Sequence, residues 1–284
     1  MLRTFAGGLL ALLLAGCATI HVTEKTWANP GYAILAPKAL HALSSHDYTA
    51  QSHYFKSSDG TTLHGLLLTN PNAKVTVLYL GGNVFQTGTA GLEIGKQLEG
   101  LGVDALLLDY PGYGGSEGKA DLASTRAAVL AAFDNLRSLP SLQGKPIAVW
   151  GMSLGSVLAP MVVNARPAQA LVLESAPTNV SDWIHNQVPW YATPFIRIDI
   201  ANNLLPIDNC KVLANWHKPL LVLVGSKDNI TPPAFARKLY EASATPAADK
   251  ILFVAPGRGH GEASGDPAAL AALHKFFDGL PGHG

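Results

Sequence analysis

Neither sign of charge predominates in this 284-residue chain: 20 Lys+Arg face 20 Asp+Glu, and charged residues make up only 14%. With no basic excess and no run of Lys or Arg, the chain lacks the counterion-displacing surface that a phosphate backbone requires, so no nucleic-acid partner is expected. Cysteine is nearly absent. Two residues, Cys17 and Cys210, cannot build a disulfide framework or a Cys/His zinc cluster, and His41 and His46 do not stand at helical ligand spacing, so no metal is expected. No Gly-x-Gly-x-x-Gly follows the first buried strand, and no cofactor is expected. Repeats and low-complexity tracts are missing too, and nothing signals an oligomeric state. What is abundant is apolar: hydrophobic residues reach 48%, enough for one large core and too many for a disordered chain.

The first apolar stretch, Phe5 to Ala15 behind Arg3, is too short to cross ~30 Å of hydrocarbon but suits a signal peptide. It ends in Leu14-Ala15-Gly16-Cys17, which resembles the lipobox of bacterial lipoproteins. That resemblance implies a signal peptide over 1–16, a diacylglycerol on Cys17, and a membrane partner held through that anchor. Ala18, unlike an Asp there, gives no reason for inner-membrane retention. The expected location is therefore the cell envelope, anchored to the outer membrane and facing the periplasm. Cys210, alone after processing, is expected to be a buried small hydrophobe.

Residues 17–48 read as a tether or N-terminal strap. A hairpin follows, with Gln51–Lys56 and Thr61–Leu68 joined by Ser57-Ser58-Asp59-Gly60. Beyond it, short apolar runs at Val75–Leu80, Val103–Leu108, Ile147–Trp150, Ala170–Leu173, Leu220–Val224 and Ile251–Val254 alternate with helical stretches. The pattern predicts an α/β fold over 49–284, a mostly parallel twisted sheet with helices on both faces. The connection 175–216 has no clear strand and holds Trp183, Trp190, Tyr191 and Phe195. It reads as a small lid that carries the substrate, or else as a surface element packing its own aromatics.

Ile147 to Gly155 carries the chemistry. An apolar strand runs into Gly151-x-Ser153-x-Gly155 and then into an apolar helix. A serine on such a turn is exposed above the sheet, and the helix N-terminus offers the Leu154 N–H to a developing oxyanion. A serine hydroxyl needs a base, and the base needs an orienting acid. Of ten histidines, His260 alone sits in a glycine-flanked loop after the last apolar strand. Asp228 ends the preceding strand, with Thr231-Pro232-Pro233 opening the next helix. Glu174, at the end of an earlier strand, is the rival acid.

With these segments, Leu80-Gly81-Gly82-Asn83 and Asp109-Tyr110-Pro111-Gly112-Tyr113-Gly114-Gly115-Ser116 complete a set of four motifs. The chain resembles the α/β-hydrolase superfamily from the hairpin to its end, and within it the small-lid monoacylglycerol-lipase and serine-aminopeptidase type. The resemblance implies a catalytic triad of Ser153, Asp228 and His260, with the acid on Asp228 by chain order. A second oxyanion donor comes from Gly82, or from Asn83, since Leu80 replaces the usual histidine of this loop. The loop 111–116 is structural in relatives. The expected activity is serine hydrolysis of a small or lipid-like acyl substrate, a carboxylic ester first and an amide or thioester second. A non-catalytic binding module on the same fold is the alternative of another class. Pro160, inside the helix after Ser153, has no account at this level.

Overall fold

The computed structural model describes residues 18–280 except Trp27, Asn29, Ser45 and His46; Cys17 and the proposed signal peptide lie outside the described residues. The chain opens with β1 (Ala18–Val22), α1 (Pro37–Leu43), β2 (Thr49–Lys56), β3 (Thr62–Thr69) and β4 (Thr76–Leu80). Next come α2 (Thr87–Gly100), β5 (Asp104–Asp109), α3 (Leu122–Ser138), β6 (Ile147–Met152), α4 (Gly155–Ala165) and β7 (Ala170–Glu174). The insertion holds α5 (Val180–Gln187), β8 (Ile196–Ile200) and α6 (Asn209–Leu213). The chain then closes through β9 (Leu220–Gly225), α7 (Pro233–Ala242), β10 (Lys250–Ala255) and α8 (Pro267–Asp278).

Eight strands form one sheet in the order β10-β9-β7-β6-β4-β5-β3-β2. β3 runs against its two neighbours and the remaining pairings are parallel. Strand alternation divides the apolar side chains between two layers: Leu78 and Val149 face a core built with α3, α4 and α7, while Tyr79 and Trp150 face one built with α1, α2 and α8. A strand buried on both faces has no polar side to show, which is why these segments read as unbroken apolar runs. The helices start where the sequence supplies caps. Asp121 accepts from the Ser124 N–H at 2.8 Å, Asn179 from Asp182 at 2.7 Å, and Asp266 from Ala268 at 2.9 Å.

Two expectations need correction. The connection 175–216 does contain a strand, β8, and it pairs in parallel with β1, from Ala18↔Ile196 to Val22↔Ile200. The alternation in Ile196-Arg197-Ile198-Asp199-Ile200 is the period-2 signal of a half-buried strand, but its partner is far away in sequence. Of the tether and strap readings, the described part of residues 18–48 fits the strap. Val22 is buried, Glu24 accepts from the Leu122 N–H at 2.8 Å, and the Ala33 carbonyl accepts from Gly88 at 3.1 Å. Cys210 is a free thiol only half-buried against the larger core, and burial pushes its pKa up to about 11.

Pro160 also finds its explanation. α4 runs through it unbroken, although proline offers no N–H to the carbonyl of Ser156 one turn earlier. The Asn209 side-chain amide takes that place, donating to Ser156 O at 3.1 Å and to Pro177 O at 2.8 Å from a buried position. The lost helix bond thus becomes a tie between α4 and the end of the insertion. Asn209→Ala should cost stability, at about 1–3 kcal/mol for each carbonyl left unpaired. Urea denaturation should show a smaller loss in a Pro160→Ala background, where position 160 regains its N–H.

Candidate active site

Ser153, Asp228 and His260 come from the carboxyl ends of three different strands, β6, β9 and β10, and meet at one edge of the sheet. Ser153 Oγ lies 2.8 Å from His260 Nε2, and His260 Nδ1 lies 3.0 and 3.1 Å from the two Asp228 carboxylate oxygens. Ionised Asp228 can only accept, so Nδ1 carries the ring proton and Nε2 is left bare toward the serine hydroxyl. Burial pushes the Asp228 pKa up. The hydrogen bonds from His260 and from Thr231 N–H and Oγ–H, joined by the imidazolium charge whenever His260 is protonated, outweigh it and hold the carboxyl below the usual range.

Local backbone geometry explains the serine's pose. Ser153 has φ 52°, a left-handed conformation rare for a residue with a side chain. α4 lies so close to β4 and β6 that a Cβ at Gly151 would sit 2.2 Å from Gly155 O, and one at Gly155 would sit 1.8 Å from Leu80 O. Only glycine fits at either position. Among the described residues no acceptor engages the amide N–H of Gly82, Asn83 or Leu154, and all three residues line the same cavity as Ser153 and His260. The cavity measures about 460 Å³, with Met152, Val157, Val180, Trp183 and Ile230 on its apolar walls. A larger, open groove of about 730 Å³ between the hairpin and α3 is remote from Ser153.

Of the expected lid aromatics, Trp183 alone lines the cavity. Trp190, Tyr191 and Phe195 lie outside it and are exposed. The loop that carries them leaves α5 beyond Gln187 and turns outward, which aromatic content by itself does not reveal. Glu174 makes no hydrogen bond to the histidine, although the His260 charge is near enough to act on it. Its carboxylate accepts from the Ser264 N–H at 2.8 Å, and burial, only partly opposed by that hydrogen bond and the nearby charges, raises its pKa to about 7.

Three supports escaped the sequence reading. Ser175, at φ 50° just after β7, accepts the Gly261 N–H on its Oγ at 2.9 Å and so anchors the histidine loop. The Tyr110 hydroxyl donates to Gly81 O at 2.7 Å, and Gly155 N–H donates to the same oxygen at 3.0 Å, which fixes the loop presenting Gly82. Buried Asp109 lies 2.7 Å from His64 Nδ1 and accepts from Thr87 N–H and Oγ–H and from the Gly115 N–H. The motif 109–116 contains Asp109 and Tyr110, but their partners His64 on β3, Gly81 after β4 and Thr87 at the start of α2 are remote from it in the chain.

A doubly covered, mostly parallel sheet with its serine elbow after a central strand and its acid and base on the following strand ends defines an α/β-hydrolase. Residues 124–281 match the Prolyl oligopeptidase family, and the chain belongs to it. The matched span includes Ser153, Asp228 and His260. An uncharacterized protein of Mycobacterium tuberculosis is 31% identical over 73% of this chain and 71% of its own length. The lysophosphatidylserine lipase ABHD12 of Danio rerio is 28% identical over 59% of this chain and 47% of its own. In fold, an esterase from Pyrococcus furiosus superposes with a TM-score of 0.70 at 18% identity, over 90% of this chain and 99% of that one.

The buried Glu174 gives a signed test. Its pKa in the fold lies above the ordinary 4.5, so its contribution to stability is complete below about pH 4.5 and is lost as pH rises toward about 7. Glu174→Gln should flatten the fall in denaturation midpoint across that window. An unchanged slope would mean that this carboxyl ionises freely in the fold.

Proposed function

We propose that the protein is a serine hydrolase that cleaves carboxylic esters of small or lipid-like molecules through an acyl-enzyme. The observation that carries this reading is the unbroken hydrogen-bond chain from Ser153 through His260 to Asp228 at an apolar cavity. Ser153 Oγ attacks the ester carbonyl while its proton passes to His260 Nε2. The C–O bond to the alcohol then breaks, and the alcohol leaves with that proton. Water, deprotonated by the same imidazole, attacks the acyl-serine and releases the acid and the free serine. Leu154 and Gly82, with Asn83 as the alternative to Gly82, would donate their N–H groups to the oxyanion. Asp228 would keep the imidazole in the required tautomer.

The lipid-like substrate draws support from the apolar walls and from the relative named a lysophosphatidylserine lipase. An amide or peptide substrate is the second reading, favoured by the family match. Against it, none of the described cavity-lining residues is acidic, so the cavity offers no partner to a free amino terminus. A panel of chromogenic esters of increasing acyl length, set beside aminoacyl amides, decides between them. A fluorophosphonate probe should label the wild type and spare Ser153→Ala; equal labelling would remove Ser153 from the mechanism. Asp228→Asn should lower kcat by about 10⁴, as expected when the orienting carboxylate is lost.

The same proposal places the enzyme in the cell envelope, with Cys17 diacylated and the domain at the outer membrane facing the periplasm. Its support is Leu14-Ala15-Gly16-Cys17 behind a short apolar stretch. Labelled palmitate should mark the wild-type chain in a bacterial host and not Cys17→Ala. Label retained by the variant, or wild type found wholly in the soluble periplasm, would end the lipoprotein reading.

A further inference from the structure

The insertion and the strap share a small structure of their own. β1 and β8 pair in parallel, and Val22 is buried with Val180, Ile184, Leu204 and Ile207. Asn203 donates its side-chain amide to Glu24 across the same junction. The first rung of this sheet is Ala18↔Ile196. Cys17 immediately precedes Ala18 in the sequence, and Phe195 immediately precedes Ile196. An acyl chain on Cys17 would therefore leave the protein beside the loop 188–195.

That loop is unusual in what it exposes. Trp190 is 84% exposed, Tyr191 55% and Phe195 51%, and the Trp190 and Tyr191 rings meet edge to face at 6.0 Å. Val188 to Phe195 contains no charged residue. The loop begins where Gln187 lines the cavity and donates to Ile230 O at 3.0 Å. Ile230 and Val84, also exposed, lie on the cavity rim. The aromatic loop thus joins β8, whose first residue pairs with Ala18, to a helix end that lines the cavity. Exposed aromatic side chains grouped in one uncharged loop point to an interaction site. Trp and Tyr, whose rings combine an apolar body with a polar edge, favour the headgroup level of a bilayer.

We propose that the loop 188–195 docks on the phospholipid bilayer that holds the acyl chains of Cys17, so that the cavity opens toward the membrane surface and draws its esters from it. The inference rests on the lipoprotein and ester readings above. Acylation at Ala18's neighbour makes the docking intramolecular in effect, so a patch too weak to hold the protein by itself can still set its orientation. Among the described residues no helix is long and apolar enough to cross a membrane, which leaves orientation to such surface contacts.

The test uses the full chain, purified from a bacterial host and reconstituted into phosphatidylethanolamine–phosphatidylglycerol vesicles, as wild type and as Trp190→Ser with Phe195→Ser. A long-chain monoacyl ester dissolved in the vesicles should be turned over about tenfold more slowly by the double variant, the size of effect lost with a second attachment point. A short water-soluble ester should be hydrolysed within about twofold of wild type, as for an ordinary surface substitution. Brominated phospholipid should quench tryptophan fluorescence in the wild type and quench it less in Trp190→Ser. Equal losses on both esters, or quenching indifferent to Trp190, would overturn the docking. The N-terminal peptide mass and the Cys17→Ala chain separate the readings. An acylated chain whose quenching ignores Trp190 sinks the docking alone. Quenching that depends on Trp190 in a chain never acylated sinks the anchor and upholds the docking surface. Where neither ester is turned over, the ester reading falls and the quenching still decides the docking.

Discussion

Backbone meets backbone where α4 lies down across the ends of β4 and β6, and the placement of the whole site follows from that contact. Hydrogen atoms at Gly151 and Gly155 are all that fit between the helix and the two strands. The approach lets Gly155 N–H reach Gly81 O, and the Tyr110 hydroxyl fastens the same oxygen from the opposite side. Ser153 is the residue left at the crest, in a left-handed conformation that costs about 1–3 kcal/mol and persists only because the surroundings over-determine it. The loop with Gly82 and the helix start with Leu154 are thereby brought to the same side of the serine hydroxyl.

Around that crest two carboxyl groups divide their work through environment. Asp228 is buried but receives hydrogen bonds from His260 and from the Ile230 and Thr231 amides, so its charge is well solvated by the protein. Glu174, equally close to the sheet edge, has the Ser264 N–H and a largely apolar setting, and its pKa moves up to about 7. A carboxyl group is thus held as an anion in one microenvironment and shifted toward its neutral form in the other. The strained Ser175 beside Glu174 ties the histidine loop to β7, so the imidazole is held from both the acid side and the strand side.

The N-terminal strap and the insertion after β7 depend on one another. Neither β1 nor β8 has a second partner in its sheet, and a lone two-stranded pair is marginal without a hydrophobic face to cover. Val157 on α4 supplies part of that face, packing with Val22, Val180 and Ile184. Asn209 adds a polar tie at the same helix, in the gap that Pro160 opens. Strap, insertion and α4 therefore form a connected unit, and β1 is coupled to the cavity wall through Val157 and Val180.

Much of this protein can be read from its residues in order. Apolar runs mark every strand from β4 onward except β8, buried on both faces in all but the half-buried edge strand β10, and the caps and prolines mark the helices between them. Ser153, Asp228 and His260 stood out as candidates because each lies at the end of such a run, and the structure brings their side chains within hydrogen-bond distance of one another. What stayed hidden are relations between residues remote in the chain: β1 beside β8, Asn209 serving Ser156, Ser175 serving Gly261, His64 against Asp109, and the outward turn of the loop bearing Trp190, Tyr191 and Phe195. The sequence by itself determined the periodicity, the turns and the chemistry of the candidate site, because these depend on neighbours along the chain. Only the tertiary structure decided which aromatic lines the cavity and how far each carboxyl is shifted, because burial and hydrogen-bond partners are set by segments that chain order does not bring together.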